Sequence, residues 1–409
     1  MKKRVLFLLV PAFLYADNLK SLLEFATTNN NIVVSKTLTQ KSKNLELDSA
    51  KSGYYPTLDI GGAYQNLNQR TPGAAGEVYT GYATVGLDIY DGGYRSNLVK
   101  QNKALLRASS FDLSSYKKSL QLSIVEDFYT IKSIEASLEA LKEKQIQLLA
   151  ELERVKKFYE VGTTTKDDVD KLQAAYSNNI YEIDTTKYQI LSLKKLFSIK
   201  IGKKVDTFEE SEITIPNNIT KEIDDSIKAL KQNADSLMYS ANSLNSTYMP
   251  KLKVENTYSF YDYGRTDIDH TEGLDDQNKL MVTLNLRLFD NGTTQKQKEA
   301  LLVQKQALEK EIAQQEQIQD INVHLALSKI ETIKAQITSA KSSLDSANSA
   351  YETITEKYRV GTIDNIAYLD ALTVKTDAKA QYKTALNNLQ IAYCSYYYYT
   401  NKNIQEFIK

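Results

Sequence analysis

The 409-residue sequence predicts a mainly α-helical chain with a β-barrel part, written as a duplicated repeat of two long coiled-coil helical hairpins and four transmembrane β-strands. Three observations carry this expectation. The run Phe158, Tyr159, Glu160, Val161, Gly162, Thr163 returns after a 199-residue shift as Lys357, Tyr358, Arg359, Val360, Gly361, Thr362. Duplication on this scale decides the architecture before any local element is assigned. An apolar stripe stepping by three and four leads into each copy, as coiled-coil helices require. It is Ile131, Ile134, Leu138, Leu141, Leu148, Leu152, Val155, Tyr159 in the first copy, interrupted at Gln145. In the second it is Ile330, Ile333, Ile337, Ala340, Leu344, Ala347, Tyr351, Ile354, Tyr358. Ahead of each helical block, two segments switch to period two, the mark of strands with two unlike faces.

Taken in order, Lys2, Lys3 and Arg4 precede an apolar run over 5–14 and the small residue Ala16, which reads as a secretory signal peptide at 1–16. The residue next to Ala16 is Asp17 and not Cys, so N-terminal lipidation is unsupported. The first structural repeat is expected at 17–205. It opens as a helix from Asp17 to about Ser52, with Asp17 and Asn18 as N-cap candidates. Pro56 cannot continue that helix and forces the preceding residue extended. Leu58, Ile60, Gly62 and Tyr64 then alternate with Asp59, Gly61 and Ala63, a strand at 55–64. After a loop over 65–81, Val85, Leu87 and Ile89 oppose Thr84, Gly86 and Asp88 in a strand at 82–91 that stops at Asp91, Gly92, Gly93. The helical hairpin spans 94–200. Its first arm has no Pro or Gly through Tyr159 and, at about 1.5 Å per residue, is on the order of 100 Å long. Gly162 supplies the left-handed cap that ends it, and Val169, Leu172, Tyr176, Ile183, Ile190, Leu193 and Phe197 stripe the return arm.

Pro216, Asn217 and Asn218 mark a linker at 206–222. The second repeat, 223–400, breaks its opening helix at Met249 and Pro250 and continues in strands at 251–260 and 280–290. Asn256 is the one polar residue on the apolar face of the first, between Val254 and Tyr258. In the second, Leu280, Val282, Leu284, Leu286 and Leu288 oppose Met281, Thr283, Asn285 and Arg287. A loop with Gly264, His270 and Gly273 joins them, and the hairpin 293–398 turns at Gly361. The tail 401–409 carries no signal of its own.

Strands of about ten residues suffice to cross a bilayer's hydrocarbon core when tilted. Only a closed barrel lets strands do so, because an open edge leaves backbone groups unpaired in lipid. Known membrane barrels need at least about eight strands, so a chain with four must close its barrel with other chains. The competing reading, two surface hairpins capping a soluble coiled coil, leaves the leader and the strand length unexplained. Balanced charge, with 51 basic and 51 acidic residues, argues against a nucleic-acid binder. Cys394 is the one cysteine, so no intrachain disulfide can form. His270 and His324 lack metal-ligand spacing and a carboxylate–nucleophile neighbourhood, and the Gly92–Gly93 pair lacks the rest of a nucleotide fingerprint. No enzymatic activity, cofactor or metal is expected, and the energy for any transport must come from partners.

At these residues the chain resembles TolC-type outer-membrane efflux and secretion channels, over essentially its whole length after the leader. The resemblance rests on the strand–loop–strand blocks opened by Tyr55–Pro56 and Met249–Pro250, on the two Tyr-x-Val-Gly-Thr turns, and on 358–371 followed by Asp377 to Tyr382. It implies a homotrimer whose strands close one outer-membrane barrel, continued by packed helices into the periplasm as a trimeric α/β barrel. It implies a passive duct of a tripartite efflux or type I secretion system, with outer-membrane lipid, a periplasmic adaptor (membrane fusion) protein and an inner-membrane pump as partners. The tips Val161, Gly162, Thr163, Val360, Gly361 and Thr362 would meet the adaptor. Tyr358 and Asp168 match a pair that links within a protomer to hold the periplasmic mouth shut, and Asp370 matches one aspartate of a cation-binding constriction. Ile363 and Ala367 stand where the best-known members carry an arginine and a second aspartate, so the closing network is thinner in this chain. The alternative from another class is a non-porous periplasmic coiled-coil tether.

Overall fold

The computed structural model describes residues 18–69, 75–205, 207–217, 219–264 and 274–409. The expected leader, the N-cap candidate Asp17, and His270 and Gly273 lie outside the described residues. The elements are α1 (Leu19–Asn29), α2 (Asn31–Ser52), β1 (Thr57–Asn66), β2 (Glu77–Tyr90), α3 (Tyr94–Glu160), α4 (Lys166–Ile201), α5 (Asp225–Ser243), β3 (Lys251–Gly264), β4 (Asp276–Asn285), α6 (Thr293–Arg359) and α7 (Asn365–Tyr399). Short 3₁₀ turns lie at Leu244–Tyr248 and Ile404–Phe407. Helices α3 and α6 are both unbroken over 67 residues. The chain forms two compact units, each drawing on both copies. One holds Lys36–Leu113 and Ser226–Gln315, the other the chain up to Ser35, Ser114–Asp225 and Glu316–Lys409.

The first unit carries a single antiparallel sheet in the order β1-β2-β3-β4. Its register sorts side chains by face. Leu58, Val85, Asn256 and Leu280 lie in one row, and Asp59, Thr84, Thr257 and Lys279 in the next, on the opposite face. The polar row is knit by a 2.9 Å hydrogen bond between the Thr84 and Thr257 hydroxyls. On the apolar face Asn256 is satisfied by donating to Asn278 Oδ1 at 2.8 Å. That face is uncovered, with Ile60 81% and Leu280 69% exposed. β1 and β4 each pair with one strand and present a free edge.

The strands differ in extent from the periodicity. β2 begins at Glu77 rather than 82, because Asn66 and Gly264 are both there to pair with it. A register shift between Asp88 and Tyr90 sets Ile89 out of the ladder. β4 ends at Asn285, opposite Lys251, although Leu286 and Leu288 continue the alternation. The next position on β3's side is Pro250, which has no N–H to donate. At the exit from β2, Arg95 bonds the Asp91 carboxylate at 2.7 Å and the carbonyls of Gly53 and Asp88 at 3.0 and 2.7 Å, fixing α3 to the strand end. Gly92 is required there, since a Cβ on it would meet Met249 Cβ at 2.6 Å. In the same unit α5 packs on α6 through Ile227, Ala234 and Ile312.

In the second unit, α1 buries Leu19, Leu22, Leu23 and Ala26. The helix expected over 17–52 breaks at Asn30, whose amide donates to the Lys200 carbonyl at 2.8 Å while its oxygen accepts from Ile32 N at 2.9 Å. Phe128, Phe197 and Phe208 pack edge to face. Residues of the 206–222 segment pair with the C-terminal tail through an Ile213–Ile408 bridge, and Tyr397 stacks on Phe407 at 3.9 Å. An enclosed ion pair of this unit joins Lys118 to Asp225 at 2.7 Å, with Lys118 also donating to Asn401.

Candidate functional site

The repeated Tyr-x-Val-Gly-Thr turns close α3 and α6 in the same way. Thr163 N donates to Phe158 O at 2.9 Å and Gly162 N to Tyr159 O at 3.0 Å. The second copy has Thr362 N to Lys357 O at 3.0 Å and Gly361 N to Tyr358 O at 3.0 Å. These are Schellman caps, and they require the left-handed φ of +77° at Gly162 and +75° at Gly361. The return helices start at matching positions, Thr165 capping α4 through Asp168 N and Asp364 capping α7 through Ala367 N. Val161 and Val360 project from the turns, each 72% exposed.

Both turns contribute to one cleft of about 290 Å³, lined among others by Arg154, Phe158, Asp168, Tyr358, Ile363 and Asp364. Tyr358 and Asp168 thus come together, but their polar atoms have other partners. The Asp168 carboxylate accepts from Thr164 Oγ1 at 2.9 Å and Thr165 Oγ1 at 3.1 Å, an N-terminal capping arrangement. Tyr358 stacks on Tyr368 with centroids 5.1 Å apart and has the Arg154 guanidinium over its ring at 5.0 Å. Burial and the nearby Glu151 carboxylate push its hydroxyl well above the usual phenol range, against a smaller opposing pull from Arg154. Arg154 is itself forked onto Glu151, Nε lying 3.0 Å from both carboxylate oxygens. Asp370 is exposed on α7.

Arg154 and Glu151 were not among the residues expected at the tips. Their sequence signal is the i,i+3 spacing together with its loss in the second copy, where the 199-residue shift lands on Ala350 and Thr353. Asp364, which could have stood in for the missing charged residues, is occupied as a helix cap. Among the described residues, no group of His, Cys, Asp and Glu is arranged to hold a metal ion. No described helix is long and apolar enough to cross a membrane.

The family model described as outer membrane efflux protein matches residues 22–192 and 220–400. Outer membrane protein TolC of Escherichia coli (strain K12) is 26% identical over 211 residues, 48% of this chain and 42% of that protein. The chain spans less than half the length of that relative and of the Vibrio cholerae TolC, 45% of which is matched at 23% identity. The crystal structure of the Campylobacter jejuni CmeC outer membrane channel superposes with a TM-score of 0.81 at 16% identity, over 94% of this chain and 86% of that one. A membrane protein from Pseudomonas aeruginosa gives 0.82 at 14% identity, over 93% of each chain. At these identities the likeness to solved structures shows the fold.

Proposed function

Since the chain belongs to the outer membrane efflux protein family, we propose that it is a passive outer-membrane duct, serving a tripartite efflux or type I secretion system. It works as a homotrimer, its protomers each contributing four strands to one barrel, with a periplasmic adaptor and an inner-membrane pump as partners. The observation that carries this reading is the sheet. It is amphipathic by register, bare on its apolar face, and open at both β1 and β4. In lipid those edges must be paired, and further copies of the same sheet supply the matching strands.

Within that reading the tips Val161, Gly162, Thr163, Val360, Gly361 and Thr362 are the adaptor contact, supported by their exposure and by caps that need no further protein partner. Tyr358 and Asp168 belong to the periplasmic gate. Asp370 faces the conduit, where three symmetry-related carboxylates would favour cations. The energy for transport is the pump's. The test is reconstitution of the full chain into planar bilayers together with membrane fractionation. Outer-membrane recovery as a heat-modifiable oligomer that conducts supports the duct, whereas a soluble, non-conducting rod would establish the tether instead.

A further inference from the structure

We infer that Arg154 is a positioning residue of the gate, clamping Tyr358 of α6 against α3 and so holding the two hairpin tips of a protomer together. The inference rests on the channel reading above. Its basis is an arrangement at the tips in which a charged side chain of the first copy lies over the ring of a residue of the second. The Arg154 fork onto Glu151 fixes the plane of the guanidinium, and the Glu151 side chain is only 12% exposed. An arginine held this way cannot swing into solvent without leaving a largely buried carboxylate with no cation beside it. Its guanidinium lies over two rings, Phe158 of its own helix at 5.2 Å and Tyr358 of α6 at 5.0 Å. A cation over an aromatic face is attracted by the ring quadrupole, more strongly where water is excluded.

Glu151 meets the Tyr358 hydroxyl rather than its ring and belongs to the same cluster; the remaining charged groups of the cleft have other partners. Asp168 is held by Thr164 and Thr165, and Asp364 caps α7. Arg359 is exposed and pairs with Glu356 on its own helix at 3.0 Å. The second copy has no equivalent clamp, because Ala350 and Thr353 replace the pair. Each protomer therefore carries one clamp, directed from α3 to α6. Moving the α6–α7 tip away from α3 must pull Tyr358 out from under the guanidinium.

The test compares the conductance of the full wild-type chain in planar bilayers with that of Arg154→Ala, Arg154→Lys and Arg359→Ala. Arg154→Ala should raise the open population about tenfold, equivalent to about 1.4 kcal/mol. Arg154→Lys should give a smaller rise, because a point charge cannot make the fork, and Arg359→Ala should behave as wild type. An Arg154→Ala channel indistinguishable from wild type, or an equal rise in Arg359→Ala, would overturn the clamp and leave the channel reading standing. A wild-type chain that forms no pore would overturn both. The chain has no Trp, so Tyr358→Trp introduces a single indole that reports the clamp without conduction. Adding Arg154→Ala to that variant should increase acrylamide quenching severalfold, and unchanged quenching would overturn the clamp.

Discussion

Replacing Gly361 in turn by Ala, Asn and Trp separates the two roles of the tip turn, helix cap and adaptor contact. The residue sits at φ +75°, and no heavy atom lies within 4 Å of the position an added Cβ would take. The Cβ itself therefore meets nothing, and its cost is conformational. An L-residue forced left-handed loses about 1–2 kcal/mol, whereas Asn tolerates that region through local hydrogen bonding. Both cap hydrogen bonds, Gly361 N to Tyr358 O and Thr362 N to Lys357 O, use backbone atoms that every variant keeps. Assembly should survive in all three. If the turn served only as a cap, damage would follow strain, with Ala and Trp alike and Asn close to wild type. If the turn docks an adaptor, damage follows side-chain size, with Trp worst, Asn intermediate and Ala mildest. The assay is export in cells carrying each variant as the sole copy, alongside adaptor co-purification, with the same series at Gly162. Export that tracks strain rather than size, or that is normal in every variant at both turns, would refute the docking role.

Three further outcomes are expected. Asp370 is exposed on α7, and Asp370→Ala should relieve block by multivalent cations added from the periplasmic side; equal block in the variant would remove it from the constriction. Burial raises the Asp91 pKa, but hydrogen bonds from Arg95 N–H, the Arg95 guanidinium and Gly93 N–H outweigh it and hold the carboxyl below its usual value. A depressed folded pKa means stability that is present above the unfolded value, about 4, and is lost as pH falls through the folded one. Urea stability should then drop as the pH falls below about 4 more in wild type than in Asp91→Asn, and parallel drops would contradict this. Lys118→Met removes the cation from the Asp225 carboxylate, whose side chain is 6% exposed and which keeps the neutral donors Ser114 Oγ and Asn401 Nδ2. The cost should be about 3–5 kcal/mol in thermal or denaturant unfolding, and a loss under about 1 kcal/mol would show the pair to be dispensable.

What was legible in the sequence was whatever is local in it. The stripes of α3 and α6, the alternation of Leu58 and Ile60, and the glycines at the tips each follow from spacing within one element. What was not legible depends on distant partners. The end of β4 is set by Pro250 across the ladder and not by its own leucines. The break at Asn30 needs the Lys200 carbonyl, and the pairing of Ile213 with Ile408 joins a segment read as a linker to a tail that carries no signal of its own. At the tips the turns could be read, since motif order carries them, and Tyr358 and Asp168 do line one cleft. The partners those residues take, Thr164 and Thr165 on Asp168 and Arg154 over Tyr358, are set by side-chain packing that no motif encodes.

The central claim is that one chain supplies only part of a barrel. Its most direct test is the native mass of the full chain extracted from outer membranes in mild detergent, measured with crosslinking across the sheet edges at β1 and β4. A three-chain mass, with β1 of one protomer crosslinked to β4 of the next, is the expected result. A stable monomer or dimer with both edges unlinked would contradict it.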